Sequence, residues 1–200
     1  MLEQGVGNGR IALAMAEAGA TVVGVDLSKP MLDDLRARLK KASPVVRKRI
    51  SLHEGDIRTT TVRDGRRVRK FPLVICPFNT ALHLYDREDV EQWLAVTKAQ
   101  LAKRGELVFD ISMPVLEDLA RDPNEAFRIP PFEHPTLGRV KYHEHFDYDG
   151  VRQILFVSMF FVPQKGRQGE LMTPLAHRQF YPREMEALLN YNGFEVTAIH

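Results

Sequence analysis

Three glycines at alternate positions, Gly5, Gly7 and Gly9, stand in the run Glu3-Gln4-Gly5-Val6-Gly7-Asn8-Gly9. Without Cβ atoms, such a segment lets a ligand lie against bare backbone and face the N-terminus of a following helix, which suits a nucleotide-type molecule. A dinucleotide fingerprint would read G-x-G-x-x-G, but position 10 is Arg10 and the third glycine is Gly9, which favours another nucleoside over NAD. Two carboxylates follow at predicted strand ends. Asp26 is placed to accept hydrogen bonds from both hydroxyls of a ribose. Asp56, in Glu54-Gly55-Asp56-Ile57, is placed to accept from an exocyclic adenine amine.

The elements that must hold these residues can be read from hydrophobic periodicity. Helical spacing over residues 9–18 ends at Gly19, and the β-branched run 21–25 reads as a buried strand. Ser28 caps a helix reaching about Lys41, with Pro30 in its first turn. Residues 50–54 form the next strand, and Asp64-Gly65 marks a hairpin between 59–62 and 66–69. A strand at 73–76, a helix at 86–102 and a strand at 107–110 complete an alternation that implies right-handed βαβ units. The fold class is therefore α/β, with a doubly wound, mostly parallel sheet over residues 1–111.

The second half changes character. Residues 112–135 read as irregular because five prolines interrupt them, and 139–148 and 151–162 alternate around Asp149-Gly150 as a second hairpin. A third strand over 175–180 would make residues 112–181 an antiparallel insertion. Residues 182–200 return to the core as a helix over 183–192, a Gly193-Phe194 stop and a strand over 195–199.

Composition narrows the function classes. The 200 residues are 44% hydrophobic and 27% charged, which excludes disorder and collagen. The single cysteine, Cys76, cannot form an intrachain disulfide, and the longest apolar run, 154–162, is too short for a membrane span. Residues 1–5 lack the basic flank and apolar stretch of a signal peptide, so the expected location is cytoplasmic. Net charge is +2, yet residues 36–70 carry 13 Lys+Arg against three acids. That polarity either docks nucleic acid or another anionic partner, or is a solvated surface.

The glycine motif with its two acids resembles that of class I S-adenosylmethionine-dependent methyltransferases, in which an acidic-x-G-x-G-x-G motif occupies the place of Glu3, Gly5, Gly7 and Gly9. The resemblance implies a Rossmann-like fold with S-adenosylmethionine as cofactor. Asp26 and Leu27 would lie at the ribose-binding position, Asp56 and Ile57 at the adenine-contacting one, and Cys76-Pro77-Phe78-Asn79-Thr80 beside the methyl donor. The Pro-Phe-Asn-Thr run and Phe180-Tyr181-Pro182-Arg183-Glu184 look like the small-molecule members, whose antiparallel insertion covers a small-molecule methyl acceptor. Only Met1 and Leu2 precede Glu3, and no antiparallel strand follows the one near Ile199, so the sequence looks clipped at both ends against that pattern. The expectation is a loosely held glycine loop and weak donor binding, unless a second chain, as in a homo-oligomer, completes the sheet.

Methyl transfer from a sulfonium needs alignment of donor and acceptor, and needs a base only when the acceptor nitrogen or oxygen carries a proton. His83 is the first candidate for that base; its alternative is a histidine that bonds to backbone at the start of a helix. His143 and His145 share one face of a strand, as acceptor-orienting groups or as a metal pair lacking a third ligand, and no metal site is expected. Asp110 either holds an acceptor amine or caps the next segment. Two further readings remain. One is a nucleic-acid base methyltransferase, although Cys76-Pro77-Phe78-Asn79 departs from the [ND]-P-P-[YF] of enzymes that methylate exocyclic base amines. The other is a non-catalytic donor-binding module.

Overall fold

A computed structural model describes residues 1–165 and 169–200, and the chain divides into two compact units, Met1–Ser112 with Arg183–His200, and Met113–Pro182. The insertion expected over 112–181 includes the three residues outside that description.

The first unit runs β1 (Leu2–Gln4), α1 (Arg10–Glu17), β2 (Val22–Asp26), α2 (Lys29–Lys41), α3 (Pro44–Arg49), β3 (Ile50–Glu54), β4 (Arg63–Asp64), β5 (Arg67–Val68), β6 (Phe71–Cys76), a 3₁₀ turn (Thr80–His83), α4 (Arg87–Gln100) and β7 (Leu101–Phe109). Five strands form one sheet in the order β3-β2-β1-β6-β7, with every pair parallel. The order reverses between β1 and β6, and in open α/β sheets ligands bind outside the carboxyl ends of the strands at such a point.

Both faces of the sheet are filled, as an all-parallel sheet requires. Val23 and Val25 pack with Leu2, Phe71 and Val74 in one cluster, while Val22 packs with Ala12, Leu32 and Leu35 in the other. β1 is short but pairs on both sides, and the Val23 N–H donates to the Met1 carbonyl at 2.9 Å, extending the ladder by one residue. Its Gln4 is buried and satisfied: Trp93 Nε1 of α4 donates to Gln4 Oε1 at 2.8 Å, and Gln4 Nε2 donates to Thr97 Oγ1 at 3.1 Å.

Two helices start with the same chemistry. Ser28 Oγ accepts from the Met31 N–H at the start of α2, and Ser43 Oγ accepts from the Val46 N–H at the start of α3, each with a proline in the first turn. Ser43-Pro44 was therefore a readable signal for α3, which periodicity passes over because the helix has six residues. The expected hairpin is shifted and brief: residues 59–62 form no strand, and β4 and β5 pair two residues each around Gly65-Arg66, because Asp64 belongs to the ladder and not to the turn.

The second unit holds α5 (Leu116–Leu119), β8 (Phe127–His134), β9 (Gly138–Asp149), β10 (Ile154–Pro163) and β11 (Leu171–Arg178), with the four strands antiparallel in the order β11-β10-β9-β8. β8 corrects the expectation of irregular chain over 112–135. It is an edge strand, and its register shifts between Ile129 and Phe132, so Pro130 and Pro131 fall at an irregularity of an edge, where missing N–H groups cost no ladder bonds. The β9–β10 connection spans residues 150–153 instead of a two-residue turn, because Asp149 Oδ1 accepts from the N–H groups of Val151 and Arg152, both at 3.0 Å. Phe146, Leu155 and Val157 fill one face together with Leu119 of α5.

The final helix, α6 (Pro182–Tyr191), ends at Gly193, whose φ is +73°, with the Phe194 N–H donating to the Leu189 carbonyl at 3.0 Å. The strand expected at 195–199 is absent, because alternating side chains confer only propensity and these residues pair with no strand among the described residues. No helix among the described residues is long and apolar enough to cross a membrane.

Candidate functional site

The segment between β1 and α1 turns on its glycines. Gly5, Gly7 and Gly9 have φ of +73°, +51° and +79°, a left-handed region that side chains disfavour. Each position also has its own packing reason. A Cβ on Gly5 would sit 2.5 Å from Thr80 Cγ2, and one on Gly9 would sit 2.2 Å from Leu35 Cδ1 of α2. A Cβ on Gly7 would meet only the Met31 methyl, at 3.3 Å, so bare backbone there is not filled by protein. Gly9 is the N-cap of α1 and supplies no side-chain acceptor to the first turn of the helix.

Two carboxylates flank this loop. Asp26 Oδ2 accepts from the Gly7 N–H at 2.6 Å and Oδ1 from the Ser28 N–H at 2.8 Å, which locks the carboxylate between the loop and the start of α2. Each oxygen keeps a second lone pair for a ligand. Glu3, at 2% exposure, is buried, and its Oε2 has no hydrogen-bond partner among the described residues. Burial first, and the nearby Asp26 charge second, push the Glu3 carboxyl up to about 8. A buried acid with an unpartnered oxygen beneath a glycine loop is an exception to the rule that buried polar groups are hydrogen-bonded.

The segment after β6 lies against this loop. Phe78 and Asn79 have φ of +59° and +58°, consecutive left-handed residues without the freedom of glycine. The Asp110 carboxylate, beyond β7, holds them by accepting from the Phe78 N–H at 2.8 Å and the Asn79 N–H at 3.3 Å. Asn79 is pinned again by Ser112, whose N–H donates to Asn79 Oδ1 at 2.6 Å while Asn79 Nδ2 donates to Ser112 Oγ at 2.8 Å. The Phe78 ring is 53% exposed and carries the Arg10 guanidinium 3.5 Å from its centroid, tying this loop to the first residue of α1. Sequence reasoning placed Phe78 beside the donor but missed the holding role of Asp110, since no local signal announces an acceptor some thirty residues away.

The remaining expected site residues fall in different environments. Leu27 is 70% exposed at the end of β2, an apolar surface beside Asp26, whereas Ile57 is partly buried against the Val23 and Val25 cluster. Asp56 is engaged: Arg58 donates to it through Nε and Nη2 and through its backbone N–H, while Arg58 Nη1 donates to Asp89 at 2.5 Å. That hydrogen-bonded guanidinium holds the Asp56 carboxyl below its ordinary range. Cys76 is wholly enclosed, and burial, with Asp110 and Glu3 nearby, raises its thiol above the ordinary range. His83 is exposed at the end of the 3₁₀ turn.

Much of the basic segment is committed within the fold. Arg38 donates to the Asn8 carbonyl at 2.8 Å, Arg49 to that of Ala16 at 2.8 Å and Lys70 to that of Ala99 at 2.7 Å. His143 and His145 lie in the second unit, and no group of three metal-ligating side chains occurs among the described residues.

Comparison with known proteins bears on the family and the fold. Residues 1–105 match the family model described as a methyltransferase domain. The chain is 27% identical over 111 residues to YqeM of Bacillus subtilis (strain 168), a protein named as a methyltransferase; the match takes in 56% of this chain and 41% of YqeM, about two fifths of its length. Among solved structures, the CcbJ methyltransferase from Streptomyces caelestis has a TM-score of 0.78 at 24% identity, with 96% of this chain and 71% of that one covered. SAM-bound CalS10, an amino pentose methyltransferase from Micromonospora echinaspora, has a TM-score of 0.71 at 20% identity, with 96% and 73% covered. At these identities the structural likeness is one of fold, but the family model covers more than half of the sequence and includes the whole glycine loop, and the chain belongs to the methyltransferase-domain family.

Proposed function

We propose that the chain binds S-adenosylmethionine at the carboxyl ends of β1, β2, β3 and β6 and transfers its methyl group to a nitrogen or oxygen of a small molecule. The observation that carries this reading is the pairing of a left-handed glycine loop with Asp26, held by the Gly7 N–H and still offering a lone pair on each oxygen. Two acceptors side by side suit the two hydroxyls of a ribose. The unpartnered Glu3 oxygen fits a cationic donor as well, because a positive charge nearby compensates a carboxylate that burial disfavours. CalS10, solved with SAM bound, supports the choice of donor.

When bound, the donor supplies an activated sulfonium methyl, so the protein's work is alignment and exclusion of water. Gly7 leaves bare backbone for the ligand while Gly5 and Gly9 let Thr80 and Leu35 pack against the loop, Leu27 offers an apolar surface to a purine, and Phe78 and Asn79 form the wall beside the methyl. Asp56, both of whose oxygens already accept from Arg58, borders the adenine side with Ile57 packed behind it. Cys76 is enclosed, so it shapes the floor of the site without side-chain contact. His83 takes the proton of an acceptor that carries one. The lone enclosed cysteine suits a cytoplasmic setting.

Titration calorimetry tests the reading. One-to-one binding of S-adenosylmethionine is expected, with weakening of about tenfold or more for Asp26→Ala, since hydrogen bonds to charged groups contribute about 1.5–3 kcal/mol each. Tighter binding of NAD than of S-adenosylmethionine would refute it. A His83→Gln variant should bind donor normally and lose methyl transfer to an acceptor that carries a proton.

A further inference from the structure

One face of the antiparallel sheet in the second unit gathers cationic side chains that the proposed donor site does not use. His143 and His145 alternate with Glu144 on β9 and so share that face, and strand pairing sets Phe160 of β10 and Arg128 of β8 on either side of His143. The His143 ring stacks on Phe160 with centroids 4.8 Å apart and planes 3° from parallel, and His145 meets the same ring edge-on at 5.7 Å. The two imidazoles are 5.6 Å apart. With Asn124, Glu125, Ala126 and Arg128 they line an open cavity of about 530 Å³.

The hydrogen bonding of these groups indicates what the cavity takes. Arg128 makes no ion pair among the described residues, so its planar fork of donors is uncommitted. His145 Nδ1 lies 2.9 Å from the Pro123 carbonyl, which only accepts, so Nδ1 carries a proton and Nε2 is the nitrogen left for a ligand. Three groups able to carry positive charge thus converge against one acid, Glu125.

We infer that this cavity binds an oxyanion, a phosphate or carboxylate group, through Arg128, His143 and His145. The assignment goes beyond the proposed function: the second unit takes a molecule that carries a phosphate or carboxylate group. Because His145 Nδ1 already donates to Pro123, His145 can donate to an anion from Nε2 only when both ring nitrogens carry a proton. The charged groups next to the two histidines on this face are Lys141 and Asp147 of β9 and Arg128 opposite His143, with Glu125 lining the cavity.

Imidazole resonances of the whole chain, followed during titration with inorganic phosphate and with methyl phosphate against sodium chloride of equal ionic strength, test this. Saturable shifts of His143 and His145 are expected, at least tenfold weaker in Arg128→Ala, with Arg128→Lys between. Methyl phosphate binding as tightly as phosphate supports a group carried on a larger ligand; weaker methyl phosphate supports a free anion. Shifts no larger than those with chloride, or unchanged in Arg128→Ala, overturn the inference. Calorimetry with S-adenosylmethionine on the same samples separates the two claims, since donor binding without an anion site defeats this inference alone, and an anion site without donor binding defeats the proposed function alone.

Discussion

The loops after β1 and after β6 solve the same problem with opposite chemistry. Each must leave its strand in a left-handed conformation at the carboxyl edge of the sheet, and the two meet where Thr80 fills the space above Gly5 and Arg10 covers Phe78. The first loop does so by omission, with three glycines that have no Cβ to strain. The second does so by force: Phe78 and Asn79 are held in place by the Asp110 carboxylate and by the paired bonds between Asn79 and Ser112. A glycine loop has little to lose if a partner is removed, whereas a held loop depends on its partners.

That contrast can be broken experimentally, starting with the charge buried under the glycine loop. The Glu3 carboxyl, pushed up to about 8 from an unfolded value near 4.5, binds its proton more tightly in the folded state. Its contribution to stability is therefore greatest below about pH 4.5, declines as pH rises to about 8 and is flat beyond. Glu3→Gln, which mimics the protonated acid, should raise stability at pH 9 by on the order of 4–5 kcal/mol and change little at pH 4. The same variant should bind S-adenosylmethionine more weakly, so urea unfolding at the two pH values and a donor titration should move in opposite directions.

Next in size is Gly5→Ala, which combines a left-handed φ with a methyl 2.5 Å from Thr80 Cγ2. A loss of roughly 2–4 kcal/mol is expected, against about 1 kcal/mol for Gly7→Ala, where only the movable Met31 methyl is near. Equal losses in denaturant midpoints would show that backbone strain alone decides both positions. Asp110→Ala follows, expected to cost about 1–2 kcal/mol, since the freed N–H groups of Phe78 and Asn79 are within reach of water. Its larger consequence should be a looser second loop, read as increased hydrogen exchange at those two amides with Gly5 to Gly9 unchanged. The smallest effect separates conformation from hydrogen bonding. Asn79→Ala and Asn79→Gly both lose the Ser112 pair, but glycine accepts a φ of +58°, so the alanine variant should be less stable by about 1 kcal/mol.

The same contrast explains what the sequence could disclose. Glycine spacing is visible because residue identity itself carries the conformation, and Asp26 could be placed because it closes a run of buried β-branched residues. The second loop was invisible because nothing in Phe78-Asn79 announces positive φ; the cause lies in Asp110 and Ser112, across the sheet from them in sequence. Asp56 was legible as a strand-end acid, but not its engagement by Arg58, which depends on a guanidinium folding back and reaching Asp89 of α4. In the second unit, Pro130-Pro131 masked β8, since only strand order shows that they lie on an edge. The alternation at 195–199 misled for the converse reason: a strand requires a partner, and sequence periodicity does not supply one.

The central claim is that the two loops form one donor site. Backbone amide resonances of the 200-residue chain, followed as S-adenosylhomocysteine is added, test it most directly. Gly5, Gly7 and Gly9 are expected to shift together with Phe78 and Asn79, all with one saturation midpoint. Shifts confined to one loop, two different midpoints, or no response at Gly7 would contradict it.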